Sequence, residues 1–302
     1  MNSKEKINIK PTYLEVVEKI RELCSTDKDF TEKTKDLIVF IGKVDEEKEV
    51  YYLKNTGAIP ESFKHDSSEE KLYAKFCDFL VDRFFDLMGM DSELCQERGD
   101  YADVIGKTKD YITVADAKGF RLSRTALNPK DYKIEALDGW RKKAGGKYAL
   151  LVAPLHEFPT GRSRLYREVI RYNVLMISYT HLIFILKYKG NKIDFRGLFD
   201  VNLLFKGKDV EAEEYWHIVD ETMIKMCSGD HKLWIKIKDG ARKDTLSRIE
   251  EQIEYLKRTM EKIDIMDEKK VKELLLESWG IKNKLEQINR KKRMLEERLL
   301  MD

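Results

Sequence analysis

Apolar residues recur at helical spacing along the first fifty residues of the chain. A separation of three or four residues places side chains on one face of a helix. The polar and glycine-containing segment 56–60 ends this pattern. We therefore predict a helical N-terminal region over 11–54. Its predicted buried positions are Leu14, Val17, Ile20, Leu23 and Cys24.

A second apolar row begins after a pair of serines. Ser67 or Ser68 is a suitable N-cap, because its hydroxyl can accept a hydrogen bond from a backbone N–H in the first helical turn. Glu70 falls in that turn, where a carboxylate interacts favourably with the helix dipole. The pattern predicts a helix with the buried positions Leu72, Phe76, Phe79, Leu80 and Phe84.

The segment ADVIGKTKDYITVADAK, residues 102–118, predicts a β-hairpin. Two short apolar runs, 104–105 and 112–114, suit strands, and the polar residues between them suit a turn. With the turn midway, Asp103 lies directly opposite Asp116. Such side chains are roughly 5 Å apart, and like charges at that distance repel each other. The predicted pairs are residues 108 with 111, 105 with 114, and 103 with 116.

The elements that follow alternate between helix and strand. Continuous apolar runs favour buried strands, and the stretches between them favour helices. The strands are predicted at 148–152 and 174–178, and the helices at about 129–144, 162–171 and 180–189. Pro129 suits the first turn of its helix. This order predicts an α/β fold in which helices cover both faces of a mixed sheet.

The C-terminal part, from about residue 241, has a heptad-like pattern. Apolar residues advance in steps of three and four, with a break near Asp267. Both runs predict helices, and each is short for a free coiled coil. Packing against the protein's own body is the favoured alternative, and contact with a second copy is the other. The apolar positions are Leu246, Ile249, Ile253, Leu256, Met260, Ile263, Leu285, Ile288, Leu295 and Leu299.

The composition fits a folded protein with a highly charged surface. The 302 residues are 42% hydrophobic and 37% charged, so they can form one body with a substantial core. The net charge is only +2, yet the segment 118–147 contains nine Lys or Arg and three acids. This local excess of positive charge suits a nucleic-acid partner.

Cysteine spacing and hydropathy predict a cytoplasmic protein. The four cysteines are widely separated, and the first ten residues, MNSKEKINIK, are polar and unlike a secretion signal. The longest apolar run, 174–186, is too short for a membrane span.

The predicted hairpin also gathers groups that suit a metal ion. Asp103 and Asp116 would supply carboxylates, and Ala117 would supply a backbone carbonyl. Oxygen ligands without His or Cys favour Mg²⁺ over zinc. A lysine beside the ion, Lys118, can hold or activate a water and stabilise charge on a phosphate, as in metal-assisted phosphodiester hydrolysis. From spacing alone, ordinary surface charges explain the pattern equally well.

Longer stretches around these residues resemble a known family. Asp103, Asp116 and Lys118 match the motif of the PD-(D/E)xK nuclease superfamily, with Ala102 in place of the usual proline. The segment 114–141, VADAKGFRLSRTALNPKDYKIEALDGWR, further resembles the HindIII family of type II restriction endonucleases. Other matching segments are SSEEKLYAKFCD at 67–78, RGDYADVI at 98–105 and YALLVAPLHEFPT at 148–160.

This resemblance extends from about residue 55 to 185. It implies a restriction-endonuclease-like sheet with additional N- and C-terminal helices, in a single catalytic domain over 1–302 whose nuclease core is about 66–190. It also implies a Mg²⁺-dependent homodimer, with Mn²⁺ as a substitute ion, that cuts double-stranded DNA at a palindrome. The implied site is AAGCTT, cut to leave 5′-phosphates and a 5′ overhang, and the implied companion is a protective DNA methyltransferase.

Two other classes of function stay open. One is a sequence-specific DNA-binding protein of the same fold that has lost cleavage. The other is a repair or recombination nuclease that recognises DNA structure. The complete trio of Asp103, Asp116 and Lys118 favours an active nuclease over the first of these.

The segment after the metal motif is the candidate for sequence recognition. Asn, Lys and Asp can pair with adenine, guanine and cytosine in the major groove, and Asn128, Lys130 and Asp131 supply all three. On the residues alone, helix capping by Asn128 is the better interpretation. The resemblance favours base readout, although Leu127 and Pro129 replace polar residues of the related segment.

Other polar residues receive supporting roles. Glu70 is either an accessory metal ligand or simply a favourable first-turn residue, and Glu97 matches an acidic position of the family only when shifted by one residue. Phosphate contacts position a protein on DNA without specifying sequence. The residues expected to contact phosphates are Arg121, Arg124, Arg162 and Arg164, and Ser123 is a further expected DNA-binding residue.

Overall fold

A five-stranded mixed sheet organises the fold. The protein is described by a computed structural model over residues 12–95, 101–124, 128–188 and 193–278. Within these residues, no helix is both long enough and apolar enough to cross a membrane. The strands are β1 (Ala58–Ile59), β2 (Asp91–Leu94), β3 (Val104–Lys107), β4 (Ile112–Ala117), β5 (Phe120–Arg121), β6 (Tyr148–Ala153) and β7 (Val174–Ser178).

The helices surround this sheet and continue beyond it in the sequence. They are α1 (Tyr13–Cys24), α2 (Phe30–Ile41), α3 (Glu46–Asn55), α4 (Ser68–Leu87), α5 (Ile134–Lys143), α6 (Arg164–Arg171), α7 (Tyr179–Leu186), α8 (Arg196–Phe199), α9 (Val201–Phe205), α10 (Ala212–Met226), α11 (His231–Asp264) and α12 (Glu268–Ser278). Short 3₁₀ helices lie at Pro129–Tyr132 and Leu155–Glu157.

The strand order of the main sheet is β2-β3-β4-β6-β7. Strands β2, β3 and β4 are antiparallel neighbours, whereas β4, β6 and β7 are parallel. Parallel neighbours require crossover connections, and α5 and α6 lie in them. In the β3–β4 hairpin Ile105 pairs with Val114, so the predicted register is confirmed. The predicted mixed α/β sheet is confirmed as well.

Helices cover both faces of the sheet. Successive side chains of a strand point to opposite faces, and every residue of β6 and β7 is buried. Helix α4 packs on β2, β3 and β4, while α5 packs on β4 and β6, and α6 on β7. Burial on both faces explains why β6 and β7 read as continuous apolar runs.

Strand β2 is an element that the sequence analysis did not predict. Its four residues, D-S-E-L, are exposed or half-buried and lie at the edge of the sheet. Edge strands are commonly short and charged, which protects them from pairing with other chains. A pattern search for apolar runs therefore overlooks them.

The predicted N-terminal helical region consists of three helices. Each begins at a polar residue whose side chain accepts a hydrogen bond from a backbone N–H in the first turn, and these residues are Thr12, Asp29 and Asp45. On α1, Val17 and Ile20 are buried as predicted, but Leu14 is 68% exposed. The prediction for Leu14 was wrong because Tyr13 and Val16 occupy the buried face instead.

The predicted helix after the serines is confirmed as α4. Ser67 is its N-cap, since the Ser67 hydroxyl accepts a hydrogen bond from the backbone N–H of Glu70. All the predicted apolar positions of this helix are buried. Helix α4 therefore packs its apolar face on the sheet, and it also carries polar residues toward the hairpin.

The predicted helix over 129–144 is divided in two. A 3₁₀ turn at Pro129–Tyr132 comes first, and Lys133 then adopts a left-handed conformation with φ of 48°. Helix α5 starts at the next residue. A glycine usually marks a left-handed residue of this kind, and lysine adopts the conformation only rarely. The sequence therefore carries no sign of a break at position 133.

The chain divides into two compact units, residues 1–249 and 250–302, and the division lies within α11. The predicted break near Asp267 is confirmed, because α11 ends at Asp264 and α12 begins at Glu268. In the second unit four predicted apolar positions are 43% to 65% exposed: Ile253, Leu256, Met260 and Ile263. What covers them stays a prediction. Leu285, Ile288, Leu295 and Leu299 lie outside the described residues.

Candidate active site

The β3–β4 hairpin brings the two predicted metal-binding carboxylates together. Asp116 lies within β4 and is only 1% exposed. Asp103 immediately precedes β3, and the hairpin register continues to place it opposite Asp116. The backbone N–H of Cys95 donates to the carbonyl of Asp103 at 2.8 Å, which fixes the start of β3 against the end of β2. The sequence therefore specified this pair correctly through strand alternation and turn position.

The main chain of Lys118, just after β4, is held by residues of β6 and α7. Its backbone N–H donates to the carbonyl of Val152 at 2.7 Å, which extends the β4–β6 pairing. The next ladder donor from β6 would be Pro154, and proline has no N–H. The phenolic hydroxyl of Tyr179 instead donates to the Lys118 carbonyl at 3.0 Å. Two neighbouring elements thus fix the main chain of Lys118.

Gly57 makes room for this arrangement. Its φ of 92° lies in the left-handed region, and a Cβ there would lie 2.5 Å from Cγ of Pro154 and 3.1 Å from the ring of Tyr179. The carbonyl of Gly57 also accepts a hydrogen bond from the backbone N–H of Phe120 at 2.8 Å. Any larger residue at position 57 would displace Pro154 and Tyr179, and Tyr179 is the residue that holds the carbonyl of Lys118.

Helix α4 contributes two charged residues that the sequence analysis missed. The ammonium of Lys75 lies 2.8 Å from Oδ1 of Asp103 and 3.0 Å from Oδ2 of Asp78. Asp78 is only 3% exposed. We refer to Lys75, Asp78, Asp103, Asp116 and Lys118 as the active-site cluster. A signal for the helical pair did exist, because the two charges are three residues apart within an otherwise apolar stretch.

Burial and mutual repulsion set the protonation of the cluster. Burial, together with the neighbouring Asp103, raises the pKa of Asp116 to about 6, despite the opposing Lys118 ammonium. Burial and Asp103 also hold the pKa of Asp78 well above its usual range. Burial would raise the pKa of Asp103, but a hydrogen bond with Asp116 and the Lys75 ammonium lower it overall. Negative charge in the cluster therefore exceeds what its two lysines stabilise.

The donor set of the cluster fits a hard divalent cation. The Lys118 ammonium donates to Oδ1 of Asp116 at 2.8 Å and lies 2.6 Å from Oδ2. Even so, Oδ2 of Asp116 is buried and accepts no hydrogen bond of good geometry. Carboxylate oxygens are the ligands that Mg²⁺ and Ca²⁺ prefer. Asp103 and Asp116 can hold such an ion, and it would relieve their repulsion.

Glu70, for which an accessory ligand role and a simple first-turn role both stay open, contacts Asp66 and Arg121. Its carboxylate accepts a hydrogen bond from the backbone N–H of Asp66 at 2.6 Å and from Arg121 at 3.3 Å. His65, Asp66 and Glu70 could also hold a metal ion by their spacing, but His65 and Asp66 are exposed. Exposed groups of this kind are common without an ion. The helical carboxylate that joins the active-site cluster is Asp78.

Two predicted DNA-binding residues have partners within the protein. Arg121 is bound by Glu70 and lies 3.8 Å from a carboxylate oxygen of Glu61. Its side chain is only 13% exposed. Ser123 donates to Glu61 through its backbone N–H and its hydroxyl, both at 2.9 Å. Their roles on DNA stay predictions. To bind DNA, both side chains would have to exchange their contacts within the protein for contacts with the nucleic acid.

The three predicted base-reading residues are exposed. Oδ1 of Asn128 accepts a hydrogen bond from the backbone N–H of Lys130 at 3.0 Å, so the capping interpretation describes its contact here. Asp131 forms an ion pair with Arg124, whose guanidinium lies 4.3 Å from the centre of the Phe120 ring. Exposure leaves all three accessible to a partner, and base readout stays a prediction.

The other two predicted phosphate contacts lie around the start of α6. Arg162 and Arg164 are 90% and 75% exposed, and each pairs with a carboxylate, Glu211 and Glu168 respectively. Surface ion pairs of this kind contribute little to stability and exchange readily. Both arginines are therefore accessible to an anion. Glu97 and Leu127 lie outside the described residues.

Comparison with models of protein families tests whether this chain is related to the restriction endonucleases that its hairpin resembles. The family model described as HindIII restriction endonuclease matches residues 14–291. The chain belongs to the HindIII restriction endonuclease family. The match is wider than the region from 55 to 185 that carried the resemblance, since it also includes α1 to α3 and the C-terminal helices.

A named member of the HindIII family is similar over about half of its length. The type II restriction enzyme HindIII of Haemophilus influenzae is 38% identical to this chain over 164 residues. The aligned part is 54% of this chain and 54% of that enzyme. The predicted relationship to HindIII-like restriction endonucleases is confirmed.

The residue before Asp103 differs from the proline of the motif, and its surroundings show how the chain holds this position without one. Ala102 stands where the motif has proline, and it is 2% exposed. The hydrogen bond from Cys95 to Asp103 restrains the neighbouring backbone. The start of β3 is therefore held by packing and pairing rather than by a proline ring.

Proposed function

We propose that this protein is a Mg²⁺-dependent type II restriction endonuclease that hydrolyses phosphodiester bonds in double-stranded DNA at a palindromic site. The observation that carries the proposal is the convergence of Asp103, Asp116 and Lys118 on one hairpin in a member of the HindIII family. The repulsion between the two carboxylates supports a cation at this position. The proposed site of action is the cytoplasm.

The chain's own residues have separate tasks in this proposal. Asp103 and Asp116 hold the ion, with the carbonyl of Ala117 as a further ligand. When bound, Mg²⁺ supplies a Lewis acid that activates water and neutralises charge on the phosphate, and Mn²⁺ can replace it at oxygen ligands. The Lys118 ammonium orients the attacking water and stabilises the negative charge that develops on the phosphate. The anchored main chain of Lys118 limits the motion of this side chain.

DNA recognition is assigned to the exposed surface beyond β4. Asn128, Lys130 and Asp131 are the proposed base-reading residues, and AAGCTT is the proposed site. Phosphate contacts are proposed for Arg121, Arg124, Arg162 and Arg164, and a further contact with DNA is proposed for Ser123. The local excess of positive charge over 118–147 supports a polyanion on this surface.

A palindromic site calls for two copies of the chain. A homodimer presents two identical active sites, one for each strand, related by the same two-fold axis as the DNA sequence. The exposed apolar positions of α11 are candidates for the contact between copies. A DNA methyltransferase that protects the same sequence is the proposed companion, without a requirement for direct contact.

Digestion of plasmid DNA with Mg²⁺, followed by sequencing of the ends, tests the proposal. Cleavage at AAGCTT that leaves 5′-phosphates and a 5′ overhang is the expected result. Asp103→Asn, purified in parallel, controls for contaminating nuclease. Specific binding without cleavage would favour a DNA-binding protein that has lost activity. Cleavage at no fixed sequence would favour a repair or recombination nuclease.

A further inference from the structure

Lys75 occupies an unusual position in the active-site cluster. Its ammonium lies between two carboxylates, 2.8 Å from Oδ1 of Asp103 and 3.0 Å from Oδ2 of Asp78. The side chain is 20% exposed, so water screens these contacts only partly. Charge-assisted hydrogen bonds at these distances are strong when solvent is largely excluded. Lys75 therefore neutralises Asp103, as Lys118 neutralises Asp116.

We propose that Lys75 is an internal counter-cation that competes with the divalent ion for Asp103. The proposal rests on the proposed function, in which Asp103 is a metal ligand. A carboxylate oxygen that accepts a hydrogen bond from an ammonium at 2.8 Å cannot bind a metal ion in the same direction. The ion must therefore displace Lys75 from Oδ1 or bind Oδ2 against the positive charge of the neighbouring ammonium, and in either case Lys75 opposes its binding.

Asp78 provides the position to which Lys75 withdraws. It lies three residues further along α4 and already contacts the Lys75 ammonium, so the lysine can give up Asp103 without losing its only carboxylate. Asp78 is thus a positioning residue that acts through Lys75. In the absence of metal, the shared ammonium keeps both carboxylates in place; in its presence, the ammonium remains on Asp78.

Thermal unfolding of the full chain across a CaCl₂ series tests this competition without cleavage, because a ligand of the native state raises the melting temperature according to its affinity. Lys75→Gln should lower the melting temperature without metal, since three carboxylates then share one lysine. Its affinity for Ca²⁺ should become tighter by at least about tenfold, because a unit positive charge beside a ligand oxygen strongly opposes a divalent ion. A purely structural ion pair would leave Ca²⁺ affinity unchanged or weaker.

Two further lysine variants isolate the charge at position 75. Lys75→Arg retains the positive charge and should keep both the metal-free stability and the Ca²⁺ affinity near those of the wild type. Lys71→Gln removes the same charge from an exposed position one turn earlier on α4, and it should change neither quantity appreciably. If Lys71→Gln tightened Ca²⁺ binding as much as Lys75→Gln does, the tightening would be due to the net charge of the protein, and the proposal would be overturned.

The Asp78→Asn background makes the test independent of whether Lys75→Gln folds. Asp78→Asn alone should weaken Ca²⁺ binding, because Lys75 then has only Asp103 as its partner. Adding Lys75→Gln retains the overall charge of the wild type and should restore tight binding. If the double variant binds Ca²⁺ no better than Asp78→Asn, Lys75 does not compete with the ion.

Failure of this inference is distinguishable from failure of the proposed function. If Ca²⁺ stabilises the wild type but not Asp103→Asn, the metal site exists, and the lysine variants then decide the role of Lys75. If Ca²⁺ stabilises the wild type and Asp103→Asn equally, Asp103 is no metal ligand and both proposals fail. Unchanged Ca²⁺ affinity in Lys75→Gln, with a normal loss in Asp103→Asn, overturns only the competition.

Discussion

Charged side chains are used differently in the active-site cluster and in the recognition segment, residues 120–124 and 128–131. In the cluster, Asp78 and Asp116 are nearly inaccessible, and each of the two lysines contacts a carboxylate. In the recognition segment, Asn128, Lys130 and Asp131 are exposed. Buried charges have few alternative partners, whereas exposed charges exchange theirs readily. The fold therefore fixes the positions of the charged groups in the active-site cluster more closely than those of the base-reading residues in the recognition segment.

Substitution within the cluster should produce the largest effects. Asp103→Asn, Asp116→Asn and Lys118→Ala should each lower cleavage by at least about 100-fold, the usual cost of one transition-state contact. Specific DNA binding measured in Ca²⁺ should be largely retained. Asp110→Asn, an exposed change in the turn of the same hairpin, is the control and should cleave normally. Full cleavage by any one of the three variants would remove that residue from the proposed mechanism.

Asp116→Asn should also stabilise the metal-free protein at neutral pH. The raised pKa of Asp116, about 6 instead of 3.8, means that its buried charge disfavours folding. The wild type should therefore lose more stability than the variant as pH rises from about 4 through about 6, because only the wild type must ionise this carboxyl. The gain at pH 7 is expected to be about 1 to 3 kcal/mol in the free energy of unfolding. Chemical denaturation at pH 4, 6 and 8 with a chelator measures it, and a less stable variant at pH 8 would contradict this account.

Substitution of Asn128 decides whether the recognition segment reads bases. A base-reading Asn128→Ala should cost about 1 to 3 kcal/mol in binding the specific duplex and much less with a random duplex. A helix cap should cost about 1 kcal/mol of folding stability and reduce both affinities alike. Asp131→Asn is a useful comparison, because loss of a carboxylate should strengthen non-specific binding. Affinities at one fixed salt concentration give the ratio, and an unchanged ratio in both variants would exclude sequence readout here.

The smallest effect is expected at Glu61, which binds Ser123 from outside the recognition segment. Glu61→Gln keeps a hydrogen-bond acceptor but removes a negative charge beside the proposed phosphate contacts. Non-specific DNA binding should strengthen by about 0.5 kcal/mol, because the change removes one carboxylate charge beside Arg121. Glu93→Gln on the edge strand β2 removes the same charge from an exposed side chain beside Lys107 and serves as a control for net charge. Weaker binding by Glu61→Gln would mean that Glu61 orders the segment for DNA rather than repelling it.

The sequence predicted local geometry better than contacts between distant elements. The register of the β3–β4 hairpin followed from alternation and from the position of the turn, so Asp103 and Asp116 could be paired in advance. The spacing of Lys75 and Asp78 places them together on α4, but their approach to Asp103 could not be predicted, because it depends on how α4 lies across the sheet. The break at Lys133 was equally unpredictable, since it depends on a left-handed lysine.

The hydrogen bond from Tyr179 to the carbonyl of Lys118 makes the candidate active site sensitive to the length of the junction between β7 and α7. Helix α7 begins at Tyr179, directly after the last strand of the main sheet. An insertion or deletion between β7 and α7 would withdraw the hydroxyl and leave the carbonyl opposite a proline that cannot replace it. The length of this junction therefore matters for the position of Lys118, just as the length of the β3–β4 turn matters for the pairing of Asp103 with Asp116.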